Sequence, residues 1–228
     1  MKQNLADREK ECFNFLNLLP RDRKYVVVGG YAVSSYGFSR FSVDLDIVIP
    51  VEELPFFKKL IDKTGFVLYK QKVDLGYDGR FERYNKGLVS IDLLINAIHS
   101  RQTEYFYPFD YVFKNSVIRE VGGWDPTVKA KIRVPMKEML IALKIHSMRS
   151  ADKRDIIMLC YKKPEELEVR RHLENCPETK IQGNINELLS VLDNQHFKDS
   201  LKGVFSISDA VFEKSIENCH SLLQSLKK

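Results

Sequence analysis

The chain is 228 residues long and 44% hydrophobic, and its 36 basic and 31 acidic side chains leave a net charge of +5. That length can bury one sizeable core or two small ones, and the mild charge permits a polyanionic partner without demanding one. No window reaches the roughly 18 unbroken apolar residues of a membrane span, and the first residues lack the apolar centre of a signal peptide, so a cytoplasmic location is expected. Cys12, Cys160, Cys176 and Cys219 contain no CxxC pair, which argues against a disulfide framework and against a zinc knuckle.

Apolar positions at helical spacing (Leu5, Cys12, Phe13, Leu16, Leu19) predict an N-terminal helix over 5–19, ended by Pro20. A strand over 25–28 follows, then Gly29-Gly30, a short helix over 31–36 stopped by Gly37, and a strand over 44–49 reading Asp-Leu-Asp-Ile-Val-Ile. A helix over 52–63 closes near Gly65, and strands over 66–72 and 79–84 are joined by a turn-rich stretch over 74–79. Next come a strand over 89–95, an aromatic loop around 105–108, and strands near 112–121 and 128–134. From Pro135 onward the pattern is helical. An amphipathic stripe (Met136, Met139, Leu140, Leu143) is followed by segments near 153–162, 165–175, 184–193 and 208–226, separated by Pro164, Pro177 and Gly203. The expected architecture is α+β: a mixed-sheet half with flanking helices over 1–134, then a helical half over 135–228.

The chemistry sits in the acidic strand. Asp44 and Asp46, at i and i+2, point to one face while Val43, Leu45, Ile47 and Ile49 point to the other. Two carboxylates that close repel each other, so ionising both near neutral pH calls for a cation, and an all-oxygen site suits Mg²⁺ or Mn²⁺. In Val89-Ser90-Ile91-Asp92-Leu93-Leu94-Ile95 the same parity sets Asp92 apart from the apolar face. Pairing these strands about 4.8 Å apart would gather three acids. Gly29-Gly30, between a strand and a helix, suits a tight turn, or backbone N–H groups that receive phosphate. The run matches neither GxGxxG nor a P-loop.

Taken together, a strand ending in Gly-Gly, a short helix, Ser42 two residues before Asp44-Leu45-Asp46, and Asp92 on a later strand resemble the nucleotidyltransferase superfamily related to DNA polymerase β. Within it, Gly29-Gly30-Tyr31-Ala32 and Arg40-Phe41-Ser42-Val43-Asp44-Leu45-Asp46 are similar to the AbiEii-type toxin nucleotidyltransferases, as are Leu143-Lys144-Ile145-His146-Ser147 and Arg154-Asp155. The matched motifs span about residues 26–155. The chain departs at Met158, where that group often has a further acid.

The resemblance implies transfer of a nucleoside monophosphate from an NTP to a hydroxyl of RNA, chiefly tRNA, or of protein, with an antitoxin as a possible partner. Asp44, Asp46 and Asp92 would be the catalytic and Mg²⁺- or Mn²⁺-binding residues, and Gly29, Gly30, Ser42, Arg40 and Lys144 would contact the nucleotide. Lys144 lies at the edge of its stripe, where its stem can pack while the ammonium reaches a cleft between the halves. Arg149 is a weaker phosphate candidate. Asp155 suits either a metal or the neighbouring Arg149 and Arg154, and His99 and His146 suit ordinary polar contacts. Trp124 suits a packed anchor or base stacking. Between 129 and 155, eight basic residues (Lys129, Lys131, Arg133, Lys137, Lys144, Arg149, Lys153, Arg154) face three acids (Glu138, Asp152, Asp155), a stretch that would attract a polyanion. Two other readings share these residues: a catalytically silent module binding nucleotide, RNA or protein, and an aminoglycoside-type enzyme acting on a small molecule.

Overall fold

A computed structural model of the chain describes residues 4–73, 76, 79–205 and 207–227. It divides into two compact units, Met1–His99 with Phe106–Met136, and Ser100–Tyr105 with Lys137–Lys228. The architecture is α+β, with a mixed sheet in the first unit and helices in the second.

In the first unit, helix α1 (Leu5–Leu16) starts where the Asn4 side chain accepts the Asp7 N–H at 2.8 Å. Strand β1 (Val26–Val28), the six-residue helix α2 (Gly29–Ser34) and strand β2 (Asp44–Ile49) follow. After a 3₁₀ turn (Val51–Glu53) come α3 (Leu54–Lys63), β3 (Val67–Lys72), β4 (Arg80–Lys86) and β5 (Val89–Ile95). The five strands form one sheet in the order β1-β2-β5-β4-β3, parallel only between β2 and β5. Leu45, Ile47 and Ile49 of β2 and Val89, Ile91, Leu93 and Ile95 of β5 are all buried. That shared apolar parity forbids a one-residue slip, which would turn carboxylates into the core. Phe13 and Phe15 of α1 add edge-on contacts to Tyr31 and Phe66. The expected turn at 74–79 falls on Asp74, Leu75, Tyr77 and Asp78, which lie outside the described residues.

Two sequence expectations change. The aromatic stretch at 105–108 is a strand, β7 (Tyr105–Pro108), paired with β6 (Ala97–Ser100). The strand expected from 112 begins instead as helix α4 (Phe109–Lys114), and only then does β8 (Ser116–Gly122) pair with β9 (Lys129–Pro135). Buried Phe109 and Val112 stand at i and i+3 in α4, a helical spacing that its aromatic and β-branched residues disguise. Buried Glu9 of α1 holds the β8–β9 turn by accepting the Trp124 N–H at 2.9 Å.

The second unit comprises α5 (Lys137–Ser147), α6 (Ser150–Leu159), α7 (Glu166–Leu173), α8 (Glu178–Leu192), α9 (Gln195–Phe205) and α10 (Asp209–Leu226). Helix α8 starts six residues before the predicted start at 184, and α9 has no counterpart among the predicted segments. Gly183 and Gly203 lie inside these helices with open space around them. A helical glycine costs only about 1 kcal/mol relative to alanine, and burial of Ile181 with Ile185, and of Leu201 with Phe205, offsets it.

His146, fully enclosed in this unit, has Nδ1 2.6 Å from the Thr103 hydroxyl and Nε2 3.0 Å from Cys176 Sγ. Burial lowers its pKa to about 4, and burial lowers that of His172 as well. The unfolded chain takes up the His146 proton near pH 6.5 and the folded chain only near 4. Its contribution to stability is therefore intact above about pH 6.5 and declines as the pH falls toward 4. Denaturant melts should show a loss of about 2 kcal/mol from this residue between pH 7 and pH 5. His146→Gln should flatten that slope, and an unchanged slope in the variant would contradict the assignment.

Candidate active site

The first unit assembles the acids on the sheet face opposite its apolar core. In the parallel β2–β5 ladder Asp46 is paired with Asp92 and Asp44 with Ser90, and paired residues on adjacent strands share a face. The Ser90 hydroxyl donates to Asp44 Oδ1 at 2.7 Å. Asp44 is exposed, Asp46 half-buried and Asp92 buried.

The glycines are explained by the same acids. Gly29 has φ +68°, and a Cβ built on it would stand 2.1 Å from Asp46 Oδ2, so no other residue leaves room for that carboxylate. A Cβ on Gly30 would stand 2.6 Å from Ser42 Oγ and 3.3 Å from an Arg40 Nη2. The loop entering β2 is tied down by the Tyr31 hydroxyl, which donates to the Ser42 carbonyl at 2.5 Å. Gly29, Gly30, Arg40, Ser42, Asp44 and Asp46 thus lie together, and Asp92 lies beside Asp46.

What the sequence did not disclose is Arg83. Paired with Asp92 across the antiparallel β4–β5 ladder, it donates from Nε to Oδ1 at 2.6 Å and from Nη2 to Oδ2 at 2.5 Å. The hydrogen bonds to Asp92, then the charges of Asp92, Asp44 and Asp46, raise the guanidinium above its ordinary pKa against the opposing effect of burial. Next along the same face, Asn85 pairs with Ser90 and has a buried side-chain oxygen with no hydrogen-bond partner. The only sequence signal was an arginine within the strand expected over 79–84, which nothing in the sequence set beside the acids.

The donor chemistry of Asp44 and Asp46, hard oxygens on one face, fits Mg²⁺ or Mn²⁺. Asp92 differs, because both of its oxygens are engaged by Arg83. Among the described residues, no group of three or more His, Cys, Asp or Glu side chains is disposed to hold a metal.

Lys144 belongs to the second unit. Its Nζ lies 2.6 Å from Asp152 Oδ1 and 2.8 Å from Asp155 Oδ2, with the lysine side chain 5% exposed and both carboxylates fully enclosed. Burial alone would raise the Asp152 carboxyl, but the Lys144 charge and the hydrogen bond and charge of Arg149 hold it well below the usual carboxylate range. The rest of the basic stretch is largely engaged as well. In the first unit Lys129 pairs with Glu120. In the second, Arg149 pairs with Asp152, Lys153 with Glu187, Arg154 donates to Ser200 Oγ, and Lys137 donates to the carbonyls of Lys162 and Lys163. Trp124 is 62% exposed and stacks on Phe41 at 4.9 Å rather than being packed away. His99 stacks on Phe106.

No protein-family model matches the chain, and no curated protein matches it. Solved structures similar to it include the following two. The lincomycin-bound lincosamide antibiotic adenylyltransferase LnuA is 20% identical over 65% of this chain and 93% of its own, with a TM-score of 0.42. A STING-associated CdnE c-di-GMP synthase from Capnocytophaga granulosa is 11% identical over 97% of this chain and 79% of its own, with a TM-score of 0.25.

Three substitutions test these geometries. Gly29→Ala must strain the backbone and displace the Asp46 carboxylate, and should cost about 1 to 3 kcal/mol in denaturant melts; a neutral effect would refute the close approach. Lys144→Ala removes the ammonium that the two enclosed carboxylates share, with Arg149 still paired to Asp152, and should cost about 3 to 5 kcal/mol. Lys137→Ala, which removes the same charge from the same helix, should cost far less.

Proposed function

We propose that the chain is a divalent-metal-dependent nucleotidyltransferase that transfers the nucleoside monophosphate of an NTP to a hydroxyl of RNA, tRNA foremost, or of a protein, and that it acts as the toxin of a toxin–antitoxin pair. The reading is carried by one observation. Asp44 and Asp46 stand on one face of β2 in register with Asp92, beside a glycine whose Cβ space the Asp46 carboxylate fills. The motif resemblance through Gly29-Gly30, Arg40, Ser42 and the three acids supports the same chemistry.

In this reaction the acceptor oxygen attacks the α-phosphorus, the bond from that phosphorus to the bridging oxygen breaks, pyrophosphate leaves, and the acceptor loses its proton. Asp44 and Asp46 would hold Mg²⁺ or Mn²⁺, which when bound supplies charge neutralisation for the triphosphate. Gly29 and Gly30, without side chains, let the backbone approach phosphate oxygens. Ser42 and Arg40, against Gly30, add a hydroxyl donor and a positive charge to that edge. Asp92, fixed in direction by Arg83, orients the attacking hydroxyl. A contact of Lys144 with the triphosphate belongs to the same reading; its ion pairs with Asp152 and Asp155 mean that any loss of NTP affinity in Lys144→Ala must be read against the variant's melt.

Incubation with each labelled NTP, total RNA and lysate protein should label one macromolecular fraction only when Mg²⁺ or Mn²⁺ is present. Asp46→Asn should abolish labelling, and its metal-free melt should equal or exceed that of the parent, because one repulsive carboxylate is gone. Expression of the parent, and not of this variant, should slow cell growth. Labelling that persists in Asp46→Asn, or no labelling with any NTP, would overturn the reading.

A further inference from the structure

Arg83 is a cation already installed in the acidic site. Its planar fork meets Asp92 with two near-parallel hydrogen bonds of 2.6 and 2.5 Å, the bidentate geometry in which arginine binds a carboxylate most strongly. The Asp92 side chain is 7% exposed and that of Arg83 is 39% exposed. The acid is thus largely desolvated, and its partner approaches from the open side. The Phe81 ring, two residues along β4, lies 5.9 Å from the guanidinium carbon. A metal bridging Asp46 and Asp92 would have to share an Asp92 oxygen with this guanidinium, setting two cations against one carboxylate.

Charge balance points the same way. Against the three negative charges of Asp44, Asp46 and Asp92 stand the guanidinium of Arg83 and that of Arg40 beside Gly30. A single divalent cation already brings the positive charges to four, and a second would bring them to six. Replacing Arg83 at Asp92 would also mean giving up a hydrogen-bonded ion pair to a buried carboxylate, the kind of contact whose loss is costly.

We infer that Arg83 is a positioning residue standing in for a second metal: the nucleotide-free protein takes one divalent cation, at Asp44 and Asp46, while the guanidinium holds Asp92 out of metal coordination. The inference rests on the nucleotidyltransferase reading for the identity of the metal site. It adds the number of cations that site takes and the residue that sets it.

Titration of the metal-free, full-length protein with Mn²⁺, followed by calorimetry and by the spin-resonance signal of free Mn²⁺, decides the matter without any turnover. The parent should bind one Mn²⁺. Arg83→Gln combined with Asp92→Asn, which removes the pair and leaves the net charge unchanged, should still bind one, with affinity changed less than about threefold, whereas Asp46→Asn should weaken it by about tenfold or more, the scale of one lost charge-assisted ligand. Arg83→Gln alone should acquire a second, weaker Mn²⁺. Two Mn²⁺ in the parent, a loss of about tenfold in the double variant, or a single Mn²⁺ in a folded Arg83→Gln would each overturn the inference while leaving a metal site in place. Should Arg83→Gln alone fail to fold, the parent and the double variant still decide. Mn²⁺ binding that is absent, or indifferent to Asp44 and Asp46, would instead overturn the metal reading itself.

Discussion

The candidate site depends on the parallel pairing of β2 with β5. Its buried side is a continuous apolar surface in which Leu45, Ile47, Ile49, Ile91, Leu93 and Ile95 are wholly enclosed. At about 25 cal/mol per Å² of apolar surface removed from water, this burial is the main force holding the two strands in register. Because strand side chains alternate, burying one face gathers Asp44, Asp46, Ser90 and Asp92 on the other, where the apolar Val48–Leu94 pair follows them. The hydrophobic effect thus aligns carboxylates that would repel one another if they were free to move apart.

Relief of that repulsion is shared among neighbouring elements. Ser90 donates a hydrogen bond to Asp44, Arg83 neutralises Asp92, and the backbone at Gly29 draws close enough to Asp46 that a side chain there would collide with it. Each partner comes from a different segment, yet all belong to the first unit. The site is therefore preorganised by one sheet and one loop, which keep its acids out of the core. Preorganised charge of this kind is what phosphoryl-transfer chemistry requires, since little covalent work falls to the protein.

The second unit solves a related problem differently. There a lysine and two aspartates are buried together, Lys144 between Asp152 and Asp155, with Arg149 adding a solvent-facing charge to Asp152. Enclosed charges of this kind are tolerated only as a satisfied set, which ties α5 to α6 more specifically than their apolar faces could. The same engagement absorbs much of the basic character of the 129–155 stretch. A count of lysines and arginines overstated what it offers to a polyanion, because counts carry no information about partners.

The sequence by itself determined what depends on local pattern. Period-two alternation in 44–49 and 89–95 marked the two central strands and the face of each carrying its acids, Gly29-Gly30 marked a turn, and Pro135 marked the change to helix. Where local signals conflicted, the fold decided. Phe109–Lys114 is helical despite β-prone residues, and α8 and α9 run through Gly183 and Gly203 because tertiary burial of Ile181, Ile185, Leu201 and Phe205 outweighs a weak propensity. Trp124 stays exposed because its loop is held by Glu9 through backbone N–H groups, while the indole stacks on Phe41 at the surface. The partners of Asp92 and Lys144 could come only from the tertiary structure. A charged side chain has no periodicity of its own, and which opposite charge reaches it depends on strand register and helix packing between residues that the sequence alone does not bring together.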